Sequence, residues 1–130
     1  MKDILIPISP GELLDKITIL RIKSEQIDNP DKLANIRKEL GMLDNIWSQA
    51  VTEDPAIKQL TEELTSINES LWDIEDDIRD EERQKNFGER FIELARSVYV
   101  TNDKRADAKK KVNLHLGSEI VEEKSYQDYT

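Results

Sequence analysis

The sequence contains no cysteine among its 130 residues. Disulfide bonds and thiolate metal sites are therefore both excluded. A chain whose folding does not depend on thiol oxidation suits a reducing compartment, and we expect a cytoplasmic protein.

Long apolar runs are also missing. The N-terminal residues 1–7 (MKDILIP) lack the apolar stretch of about 7 to 15 residues found in signal peptides. No segment approaches the roughly 18 apolar residues that a membrane-spanning helix needs. We therefore expect neither export nor a membrane partner.

Glycine and proline are scarce, with four of each, while charged residues make up 36% of the chain and hydrophobic residues 37%. This balance is typical of exposed helices rather than of a sheet sandwich. The length corresponds to one domain with its own core. We predict a single all-α domain over residues 1–130, with no cofactor.

Basic residues are in the minority, 19 against 28 acidic ones, and the formal net charge is -9. A chain with this charge repels a phosphate backbone. Nucleic acid is therefore not expected as a partner.

A capping residue followed by proline occurs three times, which is a strong signal for the start of a helix. These pairs are Ser9-Pro10, Asn29-Pro30 and Asp54-Pro55. At the first of them Ser9 and Glu12 form a predicted capping box, in which each side chain binds the other's backbone amide. The resulting division is an extended arm over 1–9, helices over 10–28, 30–51, 55–85 and 88–116, and a tail over 117–130.

Apolar residues follow the second and third helices at alternating steps of three and four, the spacing of a coiled-coil seam. This pattern predicts an antiparallel hairpin of those two helices, with Leu40 near Ile67 and Leu33 near Ile74. The first helix is apolar on more than one face, so we predict that it lies between other helices. The fold class expected is an elongated antiparallel helical bundle with coiled-coil-like seams, completed as a homodimer.

Three segments carry a resemblance to a known family. They are residues 7–20 (PISPGELLDKITIL), residues 91–103 (FIELARSVYVTND) and residues 122–126 (EEKSY). In these segments the chain resembles a family of uncharacterised small bacterial and phage proteins. The resemblance implies no reaction, substrate or cofactor.

No catalytic motif is present. His115 is the only histidine, and no serine lies in a nucleophile motif, so no catalytic residue is assigned.

The acidic ridge over 69–82 could bind Mg²⁺ as in helical pyrophosphatases, but its spacing does not match theirs, and we prefer a solvated face with no metal site. The basic cluster over 104–111 could meet phosphate, and there too a solvated face is preferred. Trp72 either packs against a neighbouring helix, which is the preferred interpretation, or lines a pocket.

The most informative polar residues interrupt the helical pattern. They are Glu12, Asp15 and Lys16 on the first helix, with Asn102 and Arg105 on the fourth. A charge on a core stripe is costly unless it is paired, so we expect Arg105 to meet Glu12 or Asp15. One interpretation makes the set a binding site for an anionic small molecule or a partner's carboxylate. The other makes Asn102 and Arg105 structural residues that fix the alignment of the helices.

Two functional hypotheses remain. The preferred one is a non-enzymatic helical interaction or oligomerisation module, acting on itself and on a protein partner. The alternative is an all-helical enzyme or sensor that binds a phosphorylated or anionic small molecule, with or without Mg²⁺.

Overall fold

A computed structural model describes the whole chain, residues 1–130, as four helices without a strand. The helices are α1 (Pro10–Gln26), α2 (Pro30–Ala50), α3 (Pro55–Arg83) and α4 (Glu89–His115). The predicted all-α fold class is confirmed. Each of the four helices ends one or two residues earlier than the sequence indicated. No helix has the length and apolarity needed to cross a lipid bilayer.

The helix starts follow from local hydrogen bonds. Ser9 accepts from the amide of Glu12, Asn29 accepts from the amides that follow it, and Asp54 accepts from the amide of Ile57. Proline then occupies the first helical position in all three cases, where no amide hydrogen is needed. Gly117 ends α4 with φ at 65°, which lets the Ser118 amide bond to the carbonyl of Asn113.

Helix α1 is the centre of the bundle. It packs against α2, α3 and α4, whereas α2 packs against α1 alone. The predicted hairpin of the second and third helices, with Leu40 near Ile67 and Leu33 near Ile74, is therefore wrong. The reason is that α1 is apolar on several faces and takes the position between them, while α3 packs on α1 and α4.

The main cluster of buried hydrophobic side chains sits at one end of the molecule. Its buried side chains come from all four helices: Leu13, Leu14, Ile17, Trp47, Ile57, Leu64, Ala108 and Val112. At this end α1 and α3 begin and α2 and α4 end. Towards the other end α3 and α4 continue beyond α1 as a two-helix hairpin, and the 29 residues of α3 span about 43 Å.

The only histidine, His115, connects the end of α4 to the start of α3. Nε2 of His115 lies 2.8 Å from Oδ2 of Asp54, the residue that caps α3. The hydrogen bond from His115 and that from the Ile57 amide hold the pKa of Asp54 below its usual range. His115 thus has a structural contact that aligns the start of α3 with the end of α4.

Candidate functional site

The start of α1 lies directly on the backbone of α4. Gly11 donates its amide hydrogen to Oδ1 of Asn113 at 2.7 Å, in a buried position. A Cβ atom on Gly11 would lie 2.3 Å from the carbonyl oxygen of Lys109, which is closer than two such atoms can approach. Residue 11 must therefore be glycine for the two helices to meet here.

Glu12 pairs with Lys109 and not with Arg105. Its carboxylate therefore does not return to the Ser9 amide, so only half of the predicted capping box forms. Burial raises the pKa of Glu12, but the hydrogen bond and charge of Lys109, with the charge of Lys16, outweigh this effect and hold the pKa below its ordinary value of 4.5. The pair fastens the first turn of α1 to α4.

Asp15 is buried in a small polar network with α3. Asn68 donates through Nδ2 to Oδ1 of Asp15 at 2.9 Å and to the hydroxyl of Thr18 at 3.0 Å. Thr18 in turn donates to the backbone carbonyl of Asp15. Asp15 is only 3% exposed, so its carboxylate is largely buried and serves the contact between α1 and α3.

Arg105 makes no ion pair within the chain, and the expected contact with Glu12 or Asp15 is wrong. Lys109, one turn further along α4, takes Glu12, and Asn68 takes Asp15. Arg105 and Asn102 instead line the surface of two clefts. Lys16 is exposed. The structure therefore divides the five predicted residues into three groups. Glu12 and Asp15 contact neighbouring helices, Asn102 and Arg105 line clefts, and Lys16 is exposed.

The central cleft lies between α1, α3 and α4 and has a volume of about 520 Å³. One part of its wall is apolar, formed by Ile19, Ile22, Leu71 and Trp72. Trp72 thus lines a pocket, the less favoured of the two interpretations of that residue.

The rest of the wall of the central cleft is polar. It contains three basic residues, Lys23, Arg79 and Arg105, two acidic residues, Glu75 and Asp76, and the amides of Asn68 and Asn102. Arg79 is engaged by Glu75. Lys23 and Arg105 have no acidic partner, so the cleft presents two free cationic groups.

The second cleft, which we call the tail groove, separates α4 from the C-terminal tail and has a volume of about 330 Å³. The tail runs back along α4: Glu122 and Glu123 pair with Lys109 and Lys110, and Lys124 pairs with Asp103. Hydrogen bonds from Lys124 and Tyr129 lower the pKa of Asp103.

These tail contacts bring two of the resemblance segments together. The ring of Tyr99 on α4 meets the ring of Tyr129 edge to face, with centroids 5.1 Å apart. The basic cluster over 104–111 is thus largely engaged by carboxylates of the same chain, because Lys111 also lies 3.5 Å from Glu63 on α3. Three of its four lysines are therefore paired, whereas Lys104 and Arg105 of the cluster make no ion pair.

Part of the acidic ridge of α3 is engaged by arginines. Asp77 and Asp80 lie within 3.5 Å of Arg90 and Arg83 respectively. No three histidine, aspartate or glutamate side chains converge as a set of metal ligands. The ridge therefore offers no prearranged metal geometry.

Sequence reasoning missed three residues of the site: Asn68, Lys109 and Asn113. A signal for the latter two was present, since Asn102, Arg105, Lys109 and Asn113 follow one another at steps of three and four on one face of α4. Asn68 interrupts the apolar stripe of α3 beside Leu64 and Leu71 in the same way. All three residues therefore interrupt a pattern that is visible in the sequence.

The comparisons with known proteins identify a family without an activity. No curated protein and no solved structure matches the chain. A family model described as a family of unknown function (DUF6165) matches residues 4–129. Because this match covers nearly the whole chain, the protein belongs to the DUF6165 family.

Proposed function

We propose that this chain is a non-enzymatic helical interaction module that assembles into a homodimer. The observation that carries the proposal is the N-terminal arm, residues 1–8, which is exposed along its whole length. Ile4, Leu5 and Ile6 are 75%, 89% and 70% exposed. Burying such a side chain fully is worth about 1.5–3 kcal/mol, so an uncovered arm favours association.

The total surface supports the same proposal. The chain exposes 9396 Å², whereas a compact monomer of 15.1 kDa exposes about 7,100 Å². The difference exceeds the roughly 800 Å² that each partner buries in a specific interface. A second copy can therefore cover enough surface to form a stable dimer.

Helix α2 supplies the second half of the proposed interface. It packs only on α1, and Met42 and Ile46 on its outer side are 45% and 47% exposed. Because α1 and α2 are antiparallel neighbours, α2 ends beside the start of α1, where the arm joins the helix. The arm and α2 thus both expose apolar side chains towards that end of the molecule.

The charge of α2 allows a second copy of the chain to bind there. The chain carries a net charge of -9, which opposes self-association in general. Helix α2 is an exception, since its three basic residues (Lys32, Arg37, Lys38) balance its three acidic ones (Asp31, Glu39, Asp44). Two α2 helices can therefore meet across a twofold axis without net repulsion.

Sedimentation velocity over a range of protein concentrations tests this proposal. We expect a dimer for the unmodified chain and a monomer for the double variant Leu5→Ser/Ile6→Ser at the same concentration. The matched control is Ile92→Ser, because Ile92 is 53% exposed but lies at the opposite end of α4. A monomer at all concentrations, or a dimer that the arm substitutions leave intact, would contradict the proposal.

A further inference from the structure

We propose that the central cleft is a binding site for a small organic anion that carries a flat ring with an N–H or O–H donor. The cleft's two free cations would hold the acidic group, and its apolar wall would hold the ring. This inference concerns a different surface from the dimer interface and does not depend on it.

The acidic group is assigned to Arg105 and Lys23. Both side chains are half-buried in the cleft, on α4 and α1, and neither is paired with a carboxylate. A partly desolvated guanidinium with five hydrogen-bond donors is costly to leave without an acceptor. A carboxylate or phosphate supplies acceptors in the geometry that arginine prefers.

The net charge of the chain does not prevent this binding. Charges more than about 10 Å apart are largely screened at 0.1 M salt. Within the cleft, basic residues outnumber acidic ones by three to two, and Glu75 is already bound to Arg79. The nearest charges therefore favour an anion.

The ring is assigned to the apolar wall. Trp72 is half-buried beside Leu71, and Ile19 and Ile22 of α1 face the same space. A tryptophan face is a preferred surface for another ring. The cleft volume of about 520 Å³ lies within the usual range for small-molecule sites.

The donor on the ring is assigned from Asn68. Its Nδ2 is committed to Asp15 and Thr18, which identifies Oδ1 as the remaining amide atom. Oδ1 has no hydrogen-bond partner within the chain. Every fully buried polar side-chain atom does have one, so Oδ1 is not fully buried. Oδ1 is therefore reachable from the cleft, where it can accept a hydrogen bond from a ligand. Asn102 of α4 offers a second amide in the same cleft.

The two tryptophans provide a direct test by ¹H–¹⁵N NMR. The indole N–H of Trp47 is buried and donates to Glu53 at 2.8 Å, whereas that of Trp72 has no partner in the chain. The probes are AMP and 4-hydroxybenzoate, which combine a ring, a donor and either a phosphate or a carboxylate. Adenosine and inorganic phosphate are the matched half-ligands, and Trp72→Phe assigns the signals.

We expect at least one of the two full probes to move the Trp72 indole signal in a saturable way and to leave that of Trp47 in place. Each half-ligand should bind at least about tenfold more weakly, because it lacks one set of contacts. The probe that binds better decides between a phosphate and a carboxylate as the acidic group. A Trp72 signal that neither full probe moves at millimolar concentration would overturn the proposal.

Substitutions on α4 complete the test. Arg105→Met should weaken the binding of the full probe about tenfold or more without lowering stability, because Arg105 makes no hydrogen bond or ion pair within the chain and methionine keeps a side chain of similar length. Lys104→Met is the matched control, since Lys104 is exposed and lies outside the cleft. Equal affinities for the two variants would overturn the assignment. Repeating the titration on Leu5→Ser/Ile6→Ser separates ligand binding from dimerisation.

Discussion

Gly11 and Gly41 occupy opposite environments in the same bundle. Gly11 lies in the crossing of α1 and α4, where a Cβ atom would meet the backbone oxygen of Lys109 at 2.3 Å. Gly41 lies on the exposed side of α2, where a Cβ would meet nothing within 4 Å outside the local backbone of its own helix. The same substitution should therefore have opposite effects at the two positions.

We predict that Gly11→Ala lowers the free energy of unfolding by more than about 2 kcal/mol, because the clashing atom belongs to a helix backbone that cannot move aside. Gly41→Ala should raise it by about 0.5–1 kcal/mol, because alanine loses less conformational freedom in a helix. Urea denaturation followed by circular dichroism measures both. Similar effects at the two positions would show that α1 and α4 do not approach as closely as described.

Glu12 should give the stability a measurable pH dependence. Its folded pKa is lowered, so its pairing with Lys109 stabilises the fold fully above the unfolded value of 4.5 and is lost as the pH falls through the folded pKa. We predict that Glu12→Gln costs about 1 kcal/mol near pH 7. The difference from the unmodified chain should shrink steadily below pH 4.5. Urea denaturation at a series of pH values measures it, and a constant difference would contradict the assignment.

Among the elements, α1 has the central role because it is the only helix that packs on all the others. Its docking on α3 depends on a buried polar contact as well as on apolar packing. Asn68 supplies both hydrogen bonds of that contact, to Asp15 and Thr18. Removing the Asn68 amide leaves the carboxylate of Asp15, which is only 3% exposed, without its hydrogen-bond donor.

We therefore predict that Asn68→Ala lowers the free energy of unfolding by about 3 kcal/mol, because it strands the charge of Asp15. Asp15→Asn should cost much less, because an amide oxygen can still accept from Asn68. Ser70→Ala, at an exposed position of α3, is the control. Chemical denaturation compares the three variants. A loss for Asn68→Ala no greater than for Asp15→Asn would show that the network does not hold α1.

At the scale of the whole molecule, the core lies at one end and the long α3–α4 hairpin extends away from it. Such a chain buries few residues, 18 of its 130. If a second copy covers the arm and α2, unfolding is coupled to dissociation, and stability depends on concentration. This dependence of stability on concentration is a property of the whole dimer rather than of any single contact.

We predict that the melting temperature rises by a few degrees for each tenfold increase in protein concentration, since tenfold corresponds to about 1.4 kcal/mol. Leu5→Ser/Ile6→Ser should abolish the rise, whereas Ile92→Ser should preserve it. Differential scanning calorimetry at several concentrations measures this effect. A concentration-independent melting temperature for the unmodified chain would count against a dimer.

Much of the site remained hidden in the sequence because it depends on which helices become neighbours. Periodicity singled out Asn102 and Arg105 as departures from an apolar stripe, and both line the clefts. Periodicity could not decide between Arg105 and Lys109 as the partner of Glu12, since both lie on the same face of α4, one turn apart. Which of the two cations meets the carboxylate depends on how far α1 slides along α4. Gly11 limits that sliding.

What the sequence by itself determined is local: the all-α class, the helix starts at Pro10, Pro30 and Pro55, and the glycine stop after α4. These follow from capping hydrogen bonds and backbone geometry within a few residues. Only the tertiary structure decided that α1 separates α2 from α3. It also decided that Glu12 and Asp15 contact α4 and α3, and that Arg105 has no ion pair. A coiled-coil seam specifies that a helix has a partner but not which one, because any apolar stripe of the right spacing fits it. The choice is made by packing and by buried polar contacts such as that of Asn68.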